Sequence, residues 1–129
     1  MEVGQKKEVI GKVLENNTAA AMRSGSLAVF ATPAMVALME EAAAGLLTEN
    51  LPEGETSVGI MMNISHIAAT PVGMKVRAVA EITAVEGRKV SFKVEAFDEV
   101  EKIGEGTHER FIVKSEKFLA KANGKSEKL

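Results

Sequence analysis

The stretch FATPAMVALMEEAAAGLL, Phe30 to Leu47, decides how this chain is built. Its apolar residues return at helical spacing. At 100° per residue Met35, Val36, Met39, Ala42, Ala43, Leu46 and Leu47 cluster on one side. Pro33 suits the first turn of a helix, and Thr32 before it suits an N-cap. The spacing predicts a helix from near Pro33 to Leu47 or Thr48, stopped by TENLPEGET with its Pro52 and Gly54. Two carboxylates stand side by side in the middle, and the helical period separates them. Glu41 points nearly opposite the apolar side and reads as a solvated charge. Glu40 lies on the border of the stripe, one turn from Val36 and Ala43. A carboxylate there either sends its head to water or reaches into the apolar seam, where unpaired burial is costly.

On the N-terminal side, residues 1–7 are polar and read as frayed. EVIGKVL, Glu8 to Leu14, reads as a short strand, and NNTAAAM as a helical turn capped by Asn17 or Thr18. RSGS breaks that turn. On the C-terminal side four segments alternate with period two over much of their length: TSVGIMMNISHIAA, GMKVRAVAEITAVE, RKVSFKVEAFDE and KIGEGTHERFIVKS. EGRK and DEVEK are connections of hairpin length, and TPVG is a turn with Pro71 and Gly73. The tail, about 117–129, reads as a short helix at most and then flexible. A single domain over 1–129 is expected, with no repeat and no linker to divide it. The order of one strand, one long helix and four consecutive antiparallel strands gives an α+β class. One helix serving so many strands implies a curved sheet wrapped around it, which is the hot-dog fold.

The 129 residues are enough for one domain with a real core. There is no cysteine, which removes disulfides, a thiolate nucleophile and cysteine metal sites, and suits a cytoplasmic protein. The net charge of −2 with 26% charged residues, and no basic stripe, argues against nucleic-acid binding. No signal-peptide pattern opens the chain, and the apolar runs are broken well short of a membrane span. Absent Cys and Trp, a single Gln and plentiful Lys and Glu lean towards a thermophile's composition.

In SVGIMMNISHIAA, period two places Val58, Ile60, Met62, Ile64, His66 and Ala68 on one face, which should look at the helix. A buried imidazole needs partners, and Glu40 across from it is a candidate. Thr32 reads first as an N-cap. Its hydroxyl also lies at the positive end of the helix dipole, where a developing oxyanion is favoured. If the chain is helical from Thr32 to Glu40, their Cα atoms stand about 12 Å apart and the two cannot touch. In GEGTHERFIV, His108 and Arg110 alternate onto one face, read as an exposed edge of mixed charge, or else as a phosphate-binding cation. There is no phosphate loop, dinucleotide fingerprint or nucleophile elbow, and two histidines without tight carboxylate spacing give no metal site.

Together VFATPAMVALMEEAA, SVGIMMNISHIAATPVG and GEGTHERFIV resemble the hot-dog thioesterases of the fluoroacetyl-CoA thioesterase type, over roughly Ala20 to Val113. The resemblance implies a catalytic set of Thr32, Glu40 and His66. It implies Gly59 at the acyl pocket and Arg110 near the CoA. It further implies a homodimer with sites at the subunit interface, and allows a dimer of dimers. The substrate is an acyl-CoA, with CoA entering as part of it and no separate cofactor. The fluoroacetyl-specific enzyme carries phenylalanines before its Thr-Pro, whereas here AAAMRSGSLAVF has no aromatic until Phe30. General acyl-CoA hydrolysis is therefore the expectation, with Glu40 as nucleophile or as general base for water. A non-catalytic acyl-CoA binder on the same fold is the alternative. A hydratase ranks lower, because the one aspartate, Asp98, falls near a hairpin.

Overall fold

A computed structural model describes residues 1–129. Strand β1 (Lys6–Lys12) is followed by a 3-10 turn (Glu15–Asn17), the one-turn helix α1 (Ala19–Met22) and the long helix α2 (Thr32–Thr48). Then come β2 (Glu55–His66), β3 (Lys75–Glu86), β4 (Lys89–Asp98) and β5 (Lys102–Lys114), and a C-terminal helix α3 (Ser115–Asn123) closed by a 3-10 turn. The five strands make one antiparallel sheet in the order β1-β3-β4-β5-β2, so β1 and β2 are its edges. The α+β layout read from the sequence is the one observed. The first strand begins two residues earlier than its pattern suggested, inside the segment read as frayed. There Lys6 to Lys12 pair with Glu81 to Lys75 of β3.

Helix α2 buries Met35, Met39, Ala42, Ala43, Leu46 and Leu47, six of the seven residues of the stripe. Full burial of a Met or Leu side chain contributes roughly 2 kcal/mol, so Met35, Met39 and Leu47 alone anchor the helix to the sheet. The facing strands offer small side chains beneath it: Ala78 and Ala80 on β3, Ala96 on β4 and Gly104 on β5. A Cβ on Gly104 would lie 2.5 Å from Met35 Sδ, so the glycine gives the helix room to sit down. At the C-terminus, the Asn50 amide donates to the Leu46 carbonyl and the Thr48 hydroxyl to that of Ala44, which satisfies carbonyls the helix leaves open. Thr18 caps α1 by accepting from Ala21 N–H, and Arg23 ends it in the left-handed region at φ 59°. No helix is long and apolar enough to cross a membrane.

One irregularity positions the site. Along the β2–β5 ladder Gly59 pairs with Arg110, but the next paired residue on β2 is Met61, opposite Glu109. Ile60 is thus the extra residue of a β-bulge. The bulge overturns the strict period-two face expected for β2. On the His66 side of it, Met62, Ile64 and His66 face inward as expected. Beyond it the inward parity switches to Gly59 and Ser57, and Ile60 is 50% exposed.

Candidate active site

Thr32 opens α2 as its first helical residue. It is not the N-cap expected from the sequence: that position is Ala31, and no side chain caps the helix. The reason is a stronger competitor. The Thr32 hydroxyl lies 2.7 Å from His66 Nδ1, at the end of β2. Burial pushes the His66 pKa below its ordinary value, an effect only partly offset by the Ala68 backbone, so the ring is neutral at pH 7. Its Nε2 atom is out of reach of solvent and has no hydrogen-bond partner. A buried, unsatisfied ring nitrogen is costly, and it borders a cleft of about 310 Å³ lined by Ala19, Val29, Phe30, Ile67 and Ala68. When Thr32 donates to Nδ1, Nε2 carries the proton and is a donor without a partner in a residue that lines that cleft.

Glu40 belongs to a second cluster, and its partner is not His66. The periodicity placed it at the border of the stripe, and its side chain is 42% exposed. The carboxylate leans over the β2–β5 ladder at Gly59 and pairs with the Arg110 guanidinium at 3.4 Å. Glu41 is exposed, as its position on the helix required. Arg110 and His108, expected on an exposed edge, are instead 7% and 1% exposed. They alternate onto the inward face of β5 because that face lies under α2 and opposite the bulged part of β2. Arg110 spends every nitrogen on a partner: Nε donates to Ser57 Oγ at 2.8 Å, Nη2 to the Ser57 carbonyl at 3.0 Å, and Nη1 to Glu40 Oε2. Burial pulls the Arg110 pKa down and Glu40 pulls it up, and a guanidinium stays charged under either influence. It is the ion-pair partner of the Glu40 side chain.

Gly59 lies directly beneath this pair. A Cβ there would stand 2.7 Å from Glu40 Oε2, 3.3 Å from Arg110 Nη1 and 3.4 Å from His108 Cε1. Its backbone is outside the left-handed region, so the glycine answers a need for space and not for conformation. One chain thus carries two polar groups eight residues apart on α2: Thr32 with His66 at the helix start, and Glu40 with Arg110, Ser57, His108 and Gly59 at its middle. The separation of about 12 Å expected from helical rise stands, because α2 is regular from Thr32 onward. Sequence reasoning missed Ser57 and misplaced His108. The bulge hid Ser57, since period two counted back from His66 puts it on the wrong face.

Comparison with known proteins places the chain in a family. The family model described as fluoroacetyl-CoA-specific thioesterase matches residues 13–116. The chain is 47% identical over 98 residues to a fluoroacetyl-CoA thioesterase of Streptantibioticus cattleyicolor, covering 76% of this chain and 70% of that one. A solved structure of a fluoroacetyl-CoA thioesterase superposes with a TM-score of 0.92 at 39% identity over 97% of both chains. A thioesterase superfamily member from Thermus thermophilus gives 0.91 at 31% identity over 98% and 94%. A hot-dog-like protein from Thermanaerovibrio acidaminovorans gives 0.88 at 26% identity over 97% and 93%. The sheet and its long helix are the hot-dog fold, and the chain belongs to the fluoroacetyl-CoA-specific thioesterase family and with it to the thioester hydrolases.

Proposed function

We propose that this protein hydrolyses an acyl-CoA thioester to the free acid and CoA, with Glu40, His66 and Thr32 as its catalytic residues. The observation that carries the reading is the half-exposed Glu40 carboxylate held over Gly59 by Arg110. Either route open to Glu40 needs that charge. As a nucleophile it adds to the thioester carbonyl, expels CoA thiolate and leaves an acyl anhydride that water then opens. As a general base it takes a proton from water, whose oxygen adds to the carbonyl before the thiolate leaves. In both, the free Nε2–H of His66 suits a developing oxyanion or the departing sulfur. Thr32 fixes the ring through Nδ1, at the positive end of α2.

The two groups of one chain stand too far apart to share one carbonyl. We infer that the working form is a homodimer in which the Thr32–His66 group of one protomer meets the Glu40 group of its partner. The β2 edge of the sheet, with exposed Ile60 at its bulge, is unpaired in the single chain and is the natural seam. Gly59 leaves room for the acyl group, and Arg110 serves the site by holding Glu40. Phe30, the one aromatic before Thr32, is 4% exposed, with its N–H bonded to the Thr70 carbonyl. It is a fixed wall of the cleft and not a mobile cover, which favours acyl-CoA hydrolysis without fluoroacetyl selectivity.

The test is Glu40→Gln, assayed by thiol release over acyl-CoAs from acetyl to aromatic. Turnover should fall by at least about 10³-fold, the scale on which loss of a nucleophile or base acts. Gln keeps an acceptor for Arg110 Nη1 but removes the counter-charge of a buried guanidinium, so the variant should lose about 1–3 kcal/mol, and a thermal melt checks that it is folded. Undiminished turnover in a folded Glu40→Gln protein would overturn the reading. Tight binding of intact acyl-CoA with no thiol release by the native chain would indicate a binder instead.

A further inference from the structure

We propose that His108, which the hydrolytic chemistry above does not use, is a positioning residue. Locked in one neutral tautomer by the bulge of β2, it offers a lone pair to Arg110 and thereby fixes the guanidinium that holds Glu40. The inference rests on the proposed role of Glu40. Three contacts carry it. His108 Nδ1 is 2.7 Å from the Met61 carbonyl, the first paired residue after the bulge. A carbonyl can only accept, so Nδ1 bears the proton. His108 Nε2 is 3.3 Å from Arg110 Nη1. A guanidinium can only donate, so Nε2 must hold a lone pair. The two partners, on separate strands, fit the same tautomer, and the Arg110 contact at Nε2 excludes the imidazolium. The ring is 1% exposed and stacks on Phe92 of β4 with centroids 5.8 Å apart. It has no freedom to turn, and its contact with Arg110 is therefore directional.

Burial lowers the His108 pKa most and Arg110 lowers it further; the Met61 carbonyl, Glu40 from α2 and Glu109 from its own strand raise it, and the net shift is downward. Protonation would put an Nε2–H against an Arg110 N–H. The guanidinium would have to turn away, and Glu40 would lose its hold. A proton on His108 would thus reach Glu40 through the Arg110 guanidinium that lies between them.

The test separates the two ring nitrogens. His108→Asn can keep a donor towards the Met61 carbonyl and loses the acceptor for Arg110. His108→Gln can keep the acceptor and loses the donor. Positioning predicts that His108→Asn lowers kcat by roughly tenfold, the equivalent of one hydrogen bond to a charged group, with KM little changed. It also predicts that His108→Gln recovers much of that loss even if its melting temperature is the lower of the two. Losses in kcat that follow melting temperature and ignore the acceptor would overturn the proposal. A second measurement does not depend on turnover. The chain has two histidines, so 15N-edited NMR of the native protein and of His66→Gln assigns both rings. A pure Nδ1–H tautomer for His108 at pH 7, whose Nε2 signal moves on Arg110→Gln, is expected. An Nε2–H tautomer or a protonated ring would overturn it. If no acyl-CoA is hydrolysed, the functional reading fails, and the NMR result still decides whether His108 is locked onto Arg110.

Discussion

Replacing Gly59 with alanine tests the geometry of the site with a single methyl group. The new Cβ would stand 2.7 Å from Glu40 Oε2, and ordinary contact begins at 3.4 Å, so the carboxylate must withdraw by about 0.7 Å. Arg110 Nη1, at 3.3 Å from the same point, has almost no slack either. Glu40 is the softer partner, because it is a half-exposed side chain and Arg110 is held at Ser57 by two further bonds. Misplacement of a reacting group by about 1 Å costs on the order of 10²-fold in rate, so kcat/KM should fall by roughly 10- to 100-fold. Stability should hardly change. Alanine in a strand interior gains about 0.5–1 kcal/mol over glycine, and a half-exposed ion pair loses at most about as much. The assay is steady-state thiol release beside a thermal melt. Gly11→Ala on β1 is the matched control, since its Cβ would meet Leu38 of α2 at an ordinary 3.4 Å and approaches no site residue. Full turnover in a folded Gly59→Ala protein would refute the idea that Glu40 works from the position over Gly59. An unfolded Gly59→Ala protein would refute the premise that the glycine serves space at the site alone.

Glu41→Gln should leave thiol release within about twofold of native, because the side chain points to solvent; a loss matching that of Glu40→Gln would undo the assignment by helical period. Asp98 accepts from the Thr70 hydroxyl and from the backbone N–H groups of Val100 and Glu101, and Thr70 is fully buried. Asp98→Ala should therefore cost about 2–3 kcal/mol in chemical denaturation, and a loss below about 0.5 kcal/mol would contradict that account. The two histidines set a pH dependence of stability. Both are depressed below their ordinary value in the folded state by burial. The unfolded chain then binds more protons as pH falls below about 6.5, so stability is complete above that pH and declines on the acid side. Melting temperature should rise from pH 5 to about 7 and then level. His108→Gln should flatten part of the slope, and an unchanged slope would show that His108 does not titrate with unfolding.

How much of this was legible in the sequence depends on the period involved. The stripe from Met35 to Leu47 repeats four times over a regular helix, so its buried face and the split between Glu40 and Glu41 followed from spacing alone. From Val76 to Ile82 on β3 and from Val90 to Ala96 on β4 the alternation is clean, with Val76, Ala78, Ala80 and Ile82 inward and Val90, Phe92, Val94 and Ala96 inward. β2 broke the rule at one residue, and everything on its far side came out inverted. His108 and Arg110 looked like surface because their types rarely lie buried without a partner. Their partners, the Met61 carbonyl, Ser57 and Glu40, come from two other elements, so no local pattern carried the signal. Thr32 was misread as a cap for a related reason. The residue that draws its hydroxyl away lies 34 positions along the chain.

The extra residue in β2 gives strand length a chemical meaning. Gly59 and His66 are seven positions apart. An odd interval on a regular strand puts two residues on opposite faces, yet both face inward here because Ile60 takes up one step. A chain lacking Ile60 would have an even interval and would still present both residues inward, on a straight strand. It would keep all of its catalytic side chains and pass any inspection of motifs. It would lack the kink at which the Met61 carbonyl meets the His108 ring. A gap of one residue at this point in an alignment of such proteins therefore marks the loss of the kink that sets the Met61 carbonyl against the His108 ring, one guanidinium away from Glu40.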